Sequence, residues 1–280
     1  MSDSTRTTDP GSAPVTGPTR ADRVRQVVVA FGAVLAVAGA AIGSGAAGGQ
    51  PIAEAADGAL SADATVVAPG TPAFSIWSVV YAGLVLFAVV QALPGRAADP
   101  RLRAVAWWVL ASMLLNAVWI GVVQAGWLWG SVAVIACLVT VLCVVRLRLV
   151  ATPAPRVLDA VATDVTVGLY LGWVCVATVA NVAAALAASD VGDLGLGATG
   201  WGVVLAAVAA LIVVAVGVRA AGRPAVAIPV GLAAGWGLAW IAVARTQGPL
   251  VDQTVAVAAG VAAAVAVVAP IVAALRARSR

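Results

Sequence analysis

Tyr170, Trp173, Ala177 and Asn181 recur at spacings of three and four in the run YLGWVCVATVAN, and so fall on one stripe of a helix. A phenol, an indole and an amide on one stripe suit a pocket wall. The rings offer flat apolar surface and the amide fixes orientation. A lipid-facing surface has no use for that pattern, because a carboxamide in hydrocarbon is costly unless something satisfies it. Phe74, Trp77 and Tyr81 form a second face at i, i+3 and i+7, and Asn116 with Trp119 a third at i and i+3. The chemistry on offer is stacking and hydrogen bonding. Other chemistries lack their groups. The chain has no histidine, and its two methionines are Met1 and Met113, so His-ligated metal and His-ligated haem iron are out of reach. It has no Gly-rich phosphate loop, no paired intramembrane carboxylate and no Ser-His-Asp arrangement. An ATP-driven pump and a conventional hydrolase are excluded on these grounds. The sequence does not read as a dedicated enzyme, and no cofactor is required.

The elements that must position these residues are membrane spans. The chain is 280 residues long, 62% hydrophobic and 10% charged, with a mean hydropathy of +1.05. A soluble domain of this length cannot hide so much apolar surface, so the bilayer must be the solvent. Apolar runs of about 20 residues, each able to cross a roughly 30 Å hydrocarbon core, number eight. They lie approximately at 27–48, 73–93, 104–124, 127–145, 161–188, 200–218, 225–244 and 254–275. The fold class is an all-α integral membrane protein. Gly126 with the flanking Trp127 and Trp129 predicts a hairpin between the third and fourth spans rather than one long helix.

All sixteen positive charges are arginines. With a cytoplasmic N-terminus and eight spans, fifteen of them fall inside and only Arg245 outside, which the positive-inside rule favours. Glu54, Asp57, Asp63, Asp190, Asp193 and Asp252 fall on the outer face. The expected location is the plasma membrane of a bacterial-type cell, multi-pass, with both termini cytoplasmic. The pI near 9.6 follows from this topology. No soluble region carries a basic groove with interleaved aromatics, so nucleic acid is not an expected partner. Residues 1–26 read as a disordered cytoplasmic tail, rich in Ser, Thr, Pro and Gly up to residue 20. Arg23 and Arg25 before an apolar run that ends in AIGSGAAGG imitate a secretory signal, but the run is long for one, and an uncleaved first span is preferred.

Cys137, Cys143 and Cys175 lie within spans and read as small buried hydrophobes. GxxxG spacings at Gly39/Gly43, Gly45/Gly49, Gly168/Gly172 and Gly231/Gly235 predict close helix packing within the chain, with a homodimer as the sharper alternative. Asp164 is the one carboxylate that falls inside a span. Either it reaches the cytoplasmic interface or it couples a proton or cation to transport. The longest outer loop, 49–72, is either an inert connector or a lid over an outward-facing pocket.

Three segments together resemble the tryptophan-rich sensory protein family (TspO/MBR), related to the mitochondrial translocator or peripheral benzodiazepine receptor. The resemblance rests on Pro69, Pro72, Trp77 and Tyr81 in the second span, Leu115, Asn116 and Trp119 in the third, and Tyr170, Leu171, Trp173, Ala177, Thr178 and Asn181 in the fifth. Order and spacing hold over residues 27–188. The resemblance implies a five-helix bundle with a pocket opening toward the loop between helices one and two. It implies that Trp77 and Trp173 line a site for porphyrins or other flat lipophilic ligands, with Tyr81, Asn116, Trp119, Ala177 and Asn181 nearby. The chain departs from the family at Thr71 and Ala185, where further tryptophans are common, and it adds three spans and a short basic tail over 189–280. Without histidine, a metal-free porphyrin or another lipophile fits better than ligated haem.

The leading expectation is therefore a sensor- or receptor-like membrane protein. Its ligand-binding residues are Trp77, Tyr81, Asn116, Trp119, Tyr170, Trp173, Ala177 and Asn181, and its partners are a hydrophobic small molecule and the lipid bilayer. A small-solute or lipid transporter is one alternative. An activity that degrades a bound porphyrin through the pocket tryptophans is another.

Overall fold

The computed structural model describes residues 17–44, 48, 50–189 and 191–279. Among them are eight helices long and apolar enough to cross a membrane: α1 (Arg20–Gly43), α2 (Thr71–Ala92), α3 (Pro100–Gln124), α4 (Leu128–Ala151), α5 (Val157–Ala187), α6 (Gly197–Val218), α7 (Pro224–Gln247) and α8 (Gln253–Arg278). No strand occurs among the described residues. The protein is an all-α, multi-pass membrane protein, as its composition requires.

Local chemistry sets the helix ends. α1 begins at Arg20, inside the stretch expected to be tail. Thr19 and Asp22 form a capping box, in which Asp22 N–H donates to the Thr19 hydroxyl at 3.2 Å and Thr19 N–H donates to the Asp22 carboxylate at 2.9 Å. The apolar run alone does not reveal that start. The rest of the expected tail, residues 1–16, lies outside the described residues, as do Gly45, Gly49 and Asp190. Between α3 and α4 the chain turns through Gly126 at φ +74°. Trp127 N–H donates to the Val122 carbonyl and Gly126 N–H to that of Val123, the two bonds that close a helix end of this kind. The predicted hairpin is present. The 3-10 turn Thr71–Ser75 opens α2 with Pro72 in its first turn.

α5 contains a π-helical segment, Ala160–Val165. Asp164 lies within this segment and meets Arg101 of α3. Asp164 is buried against Arg101, and the hydroxyl of Thr163 donates to the same carboxylate oxygen at 2.8 Å. Asp159 pairs with Arg96. The Asp164 side chain is only 2% exposed, and its carboxylate is paired with Arg101 inside the bundle.

α5 and α7 are the two most buried spans and lie along one another. Glycine makes that approach close: a Cβ at Gly172 would strike the Val230 carbonyl, and one at Gly168 would lie 2.8 Å from the Val226 carbonyl oxygen. On the next face of α7, Gly231 and Gly235 meet the Ala266 and Ala263 carbonyls of α8. Both pairs are used for packing within the chain. Gly39, by contrast, has open space where a Cβ would stand. α6 packs on α8 and α7, α4 on α3 and α5, and α1 on α3 and α2, so the last three helices join the bundle through the α5–α7 seam.

Arginines gather at one end. Arg103 pairs with Asp22, Arg25 donates to the Ala97 carbonyl, Arg223 to that of Val150 and Arg146 to that of Val216. Arg148 lies 5.0 Å from the Trp108 ring centroid. The opposite end carries the 50–70 loop.

Candidate ligand pocket

Near the loop end, α2, α3 and α5 turn their aromatic faces toward one another. Trp77 stacks on Tyr81 one turn along α2, with ring centroids 5.2 Å apart and planes at 23°. Edge-to-face contacts join Trp77 to Tyr170 at 5.7 Å and to Trp173 at 6.4 Å, and Phe74 to Trp173 at 5.7 Å.

The amides tie the helices that carry these rings. Asn116 donates to the Tyr81 hydroxyl at 2.9 Å, joining α3 to α2. Trp119 Nε1–H donates to Asn181 Oδ1 at 2.7 Å, and Asn181 Nδ2–H donates to the Ser131 hydroxyl at 2.9 Å. The Ser131 hydroxyl donates to the Leu128 carbonyl at 2.7 Å. One carboxamide thus holds α3, α4 and α5 together. The Tyr170 hydroxyl donates to the Ser112 carbonyl at 3.1 Å.

Three spaces surround this cluster. A groove of about 460 Å³ opens between α1, α2 and α3, walled by Phe74, Trp77, Tyr81 and Trp119 and closed at the loop end by Pro51 and Ile52. A narrow chamber of about 40 Å³ lies beside it under the loop, lined by Trp119, Trp173, Ala177, Ala180 and Asn181. Ile52, Phe74 and Trp119 belong to both. On its other side the chamber shares Ala59, Thr65 and Ala184 with a polar vestibule of about 570 Å³ at the loop end, beside Asp57 and Gly126.

The loop that roofs the chamber has its own structure. Ala56 and Asp57 take left-handed φ of 50° and 55°, a region that costs roughly 1–2 kcal/mol for each non-glycine residue. The Ser61 hydroxyl donates to Asp63 at 2.6 Å and holds its carboxyl below the usual carboxylate range. Three contacts reach the loop and the start of α2 from α7. Arg245 donates to the carbonyls of Thr65 (3.0 Å) and Ala62, Gly70 N–H donates to the Trp240 carbonyl at 3.2 Å, and Trp236 Nε1–H donates to the Ala73 carbonyl at 2.9 Å.

The description "TSPO-like protein" belongs to a family model that matches residues 27–272. The chain belongs to the TSPO-like family. No curated protein and no solved structure matches it. The TSPO-like match runs through α6 and α7 into α8, and so includes the helices beyond residue 188.

Within this TSPO-like bundle, six of the eight residues expected to bind ligand line a cavity. Trp77 and Tyr81 face the groove, Trp173, Ala177 and Asn181 the chamber, and Trp119 both. Asn116 and Tyr170 line neither. They are buried behind the wall, where Asn116 holds Tyr81 and Tyr170 braces Trp77. Phe74, which its spacing placed on the face of Trp77 and Tyr81 but which was not among the expected ligand-binding residues, walls both spaces. Sequence reasoning missed Ile52 and Thr65, which sit in a loop with no periodicity to reveal a face. Ser131 was equally silent, a lone hydroxyl in an apolar span. Among the described residues no group of three His, Cys, Asp or Glu side chains is placed to hold a metal ion.

Proposed function

We propose that this TSPO-like protein is a membrane sensor or receptor that binds a flat hydrophobic ligand, of tetrapyrrole type, in the groove between α1, α2 and α3. One observation carries the reading. The groove of about 460 Å³ is walled by a stacked Trp77–Tyr81 pair with Trp119 and Phe74. Its volume lies within the ~300–1,000 Å³ typical of small-molecule sites. The chamber, at about 40 Å³, has room for only a few waters, each of which needs roughly 10–15 Å³ of such space. The groove is therefore the primary site, and Trp173 acts from behind it. Family membership supports a sensor- or receptor-type role in the membrane.

The test is tryptophan-fluorescence quenching of the purified protein by protoporphyrin, beside Trp77→Phe and Trp173→Phe. Saturable quenching at micromolar ligand is expected. Losing the larger face at Trp77 should raise Kd about tenfold, since an aromatic contact is worth roughly 0.5–1.5 kcal/mol beyond its buried area. Trp173→Phe should change Kd by less than Trp77→Phe. Non-saturable quenching that is identical in all three proteins would remove the tetrapyrrole reading and leave the fold untouched.

A further inference from the structure

Arg245 is fully buried, yet among the described residues no carboxylate pairs with it. Its guanidinium instead reaches across the bundle to the carbonyls of Thr65 and Ala62, 180 and 183 residues away in sequence. A buried cation needs its donors satisfied, and here loop backbone satisfies the two terminal nitrogens, while Nε has no partner among the described residues. Trp240 and Trp236, one and two turns back along α7, bond Gly70 N–H and the Ala73 carbonyl. These contacts hold the segment 62–73 from one helix, α7. That segment contains Thr65, Ala68 and Pro69, which roof the narrow chamber, and Thr65 also stands at the vestibule. Among the described residues the buried Thr65 hydroxyl has no partner.

We infer that Arg245 is a positioning residue that latches the 62–73 segment over the chamber, so that α7 sets access from the vestibule to the aromatic pocket. The biological meaning of the latch rests on the ligand-binding reading above. The latch itself is a statement about closure. With the segment in place, Thr65 and Ala59 separate a polar space of about 570 Å³ from one of about 40 Å³. With it released, the two spaces join, and the guanidinium, near the loop end of α7, takes water in place of the carbonyls. The left-handed residues Ala56 and Asp57 are where the loop backbone would turn.

The experiment needs no ligand, so its failure is distinct from failure of the tetrapyrrole reading. In the full chain with Cys137, Cys143 and Cys175 replaced by alanine, a single thiol is placed in the chamber as Ala180→Cys. Its modification by a positively charged methanethiosulfonate is then timed in detergent solution. Ala198→Cys, exposed at the start of α6, serves as the control. Arg245→Ala is expected to speed modification at Ala180→Cys about tenfold, the ratio that loss of a charged hydrogen bond can supply. Arg245→Lys should lie between it and the parent, because one donor cluster replaces a fork. Trp236→Phe, which removes a single bond at the rim, keeps the question open to test if Arg245→Ala does not fold. It should speed modification about threefold for a neutral bond lost. The control rate should not move in any variant. Rates at Ala180→Cys unchanged in the folded Arg245→Lys and Trp236→Phe proteins would overturn the latch, as would equal acceleration at both positions.

Discussion

Asn181 ties three helices with one amide, accepting from Trp119 and donating to Ser131. Removing it leaves the Trp119 indole N–H without an acceptor in apolar surroundings, at a cost of about 1–3 kcal/mol, and takes from the Ser131 hydroxyl its Asn181 partner while the bond to the Leu128 carbonyl remains. Asn181→Leu should therefore lower the thermal midpoint more than Asn116→Leu, which frees only the phenol of half-buried Tyr81. Unfolding followed by Trp fluorescence checks the order. Asp252 acts in the opposite sense, through its charge. The Thr199 hydroxyl at 2.6 Å and the Val255 N–H at 3.0 Å hold its carboxyl below the usual range. A carboxylate whose folded pKa is lowered contributes stability above its ordinary pKa of about 4 and loses it as pH falls through the folded value. Asp252→Asn keeps an acceptor at the α8 cap but removes the titration. Its midpoint should vary less below about pH 4 than the parent's, as a thermal scan across that range would show.

The α5–α7 seam decides how the last three helices attach. Gly172 lies against backbone, and the Val230 carbonyl cannot turn aside as a side chain can. Gly172→Leu is expected to cost at least the 1–3 kcal/mol typical of overpacking, with α7 displaced and the loop contacts of Arg245 lost. Gly39→Ala is the contrast. With open space around it, the change should be neutral or add up to about 1 kcal/mol from helix propensity. Paired denaturation curves separate the two. Much of this element scale was legible beforehand. Eight apolar runs gave eight helices, and the Gly126 hairpin followed from one glycine with the interfacial Trp127 and Trp129 after it. The start of α1 at Arg20 was not legible, because a polar capping box lies outside any hydropathy window.

Across the molecule, the arginine-rich end and the loop end hold their charges differently. At the first, Arg101–Asp164 and Arg96–Asp159 join α3 and the approach to it with the first turns of α5. At the other, Arg245 relies on carbonyls of a loop. Removing one member of a buried pair strands the other, at a typical cost of about 3–5 kcal/mol. Asp164→Asn should therefore destabilise the fold by that order in thermal unfolding. Protoporphyrin affinity of the parent should be the same at pH 6 and pH 8, since no titrating group in that range lines the groove. A pH-dependent Kd would return Asp164 to consideration as a coupling site.

Composition and periodicity were enough for the solvent, the class and the faces. A chain that is 62% apolar must sit in a bilayer, and spacings of three and four put Tyr170, Trp173, Ala177 and Asn181 on one stripe whatever the neighbours. Periodicity assigns a residue to a face but not the distance to what stands opposite. Hence it could not separate Trp77, Tyr81 and Trp119, which wall an open groove, from Tyr170 and Asn116, which brace that wall from behind. Nor could it foresee that Arg245, read as the one arginine on the outer face, reaches the carbonyl of Thr65. Such a contact spans 180 residues and exists only because glycines let α7 lie against α5. Local sequence carries the energies of faces and caps, while long-range pairing depends on how whole helices come to lie together.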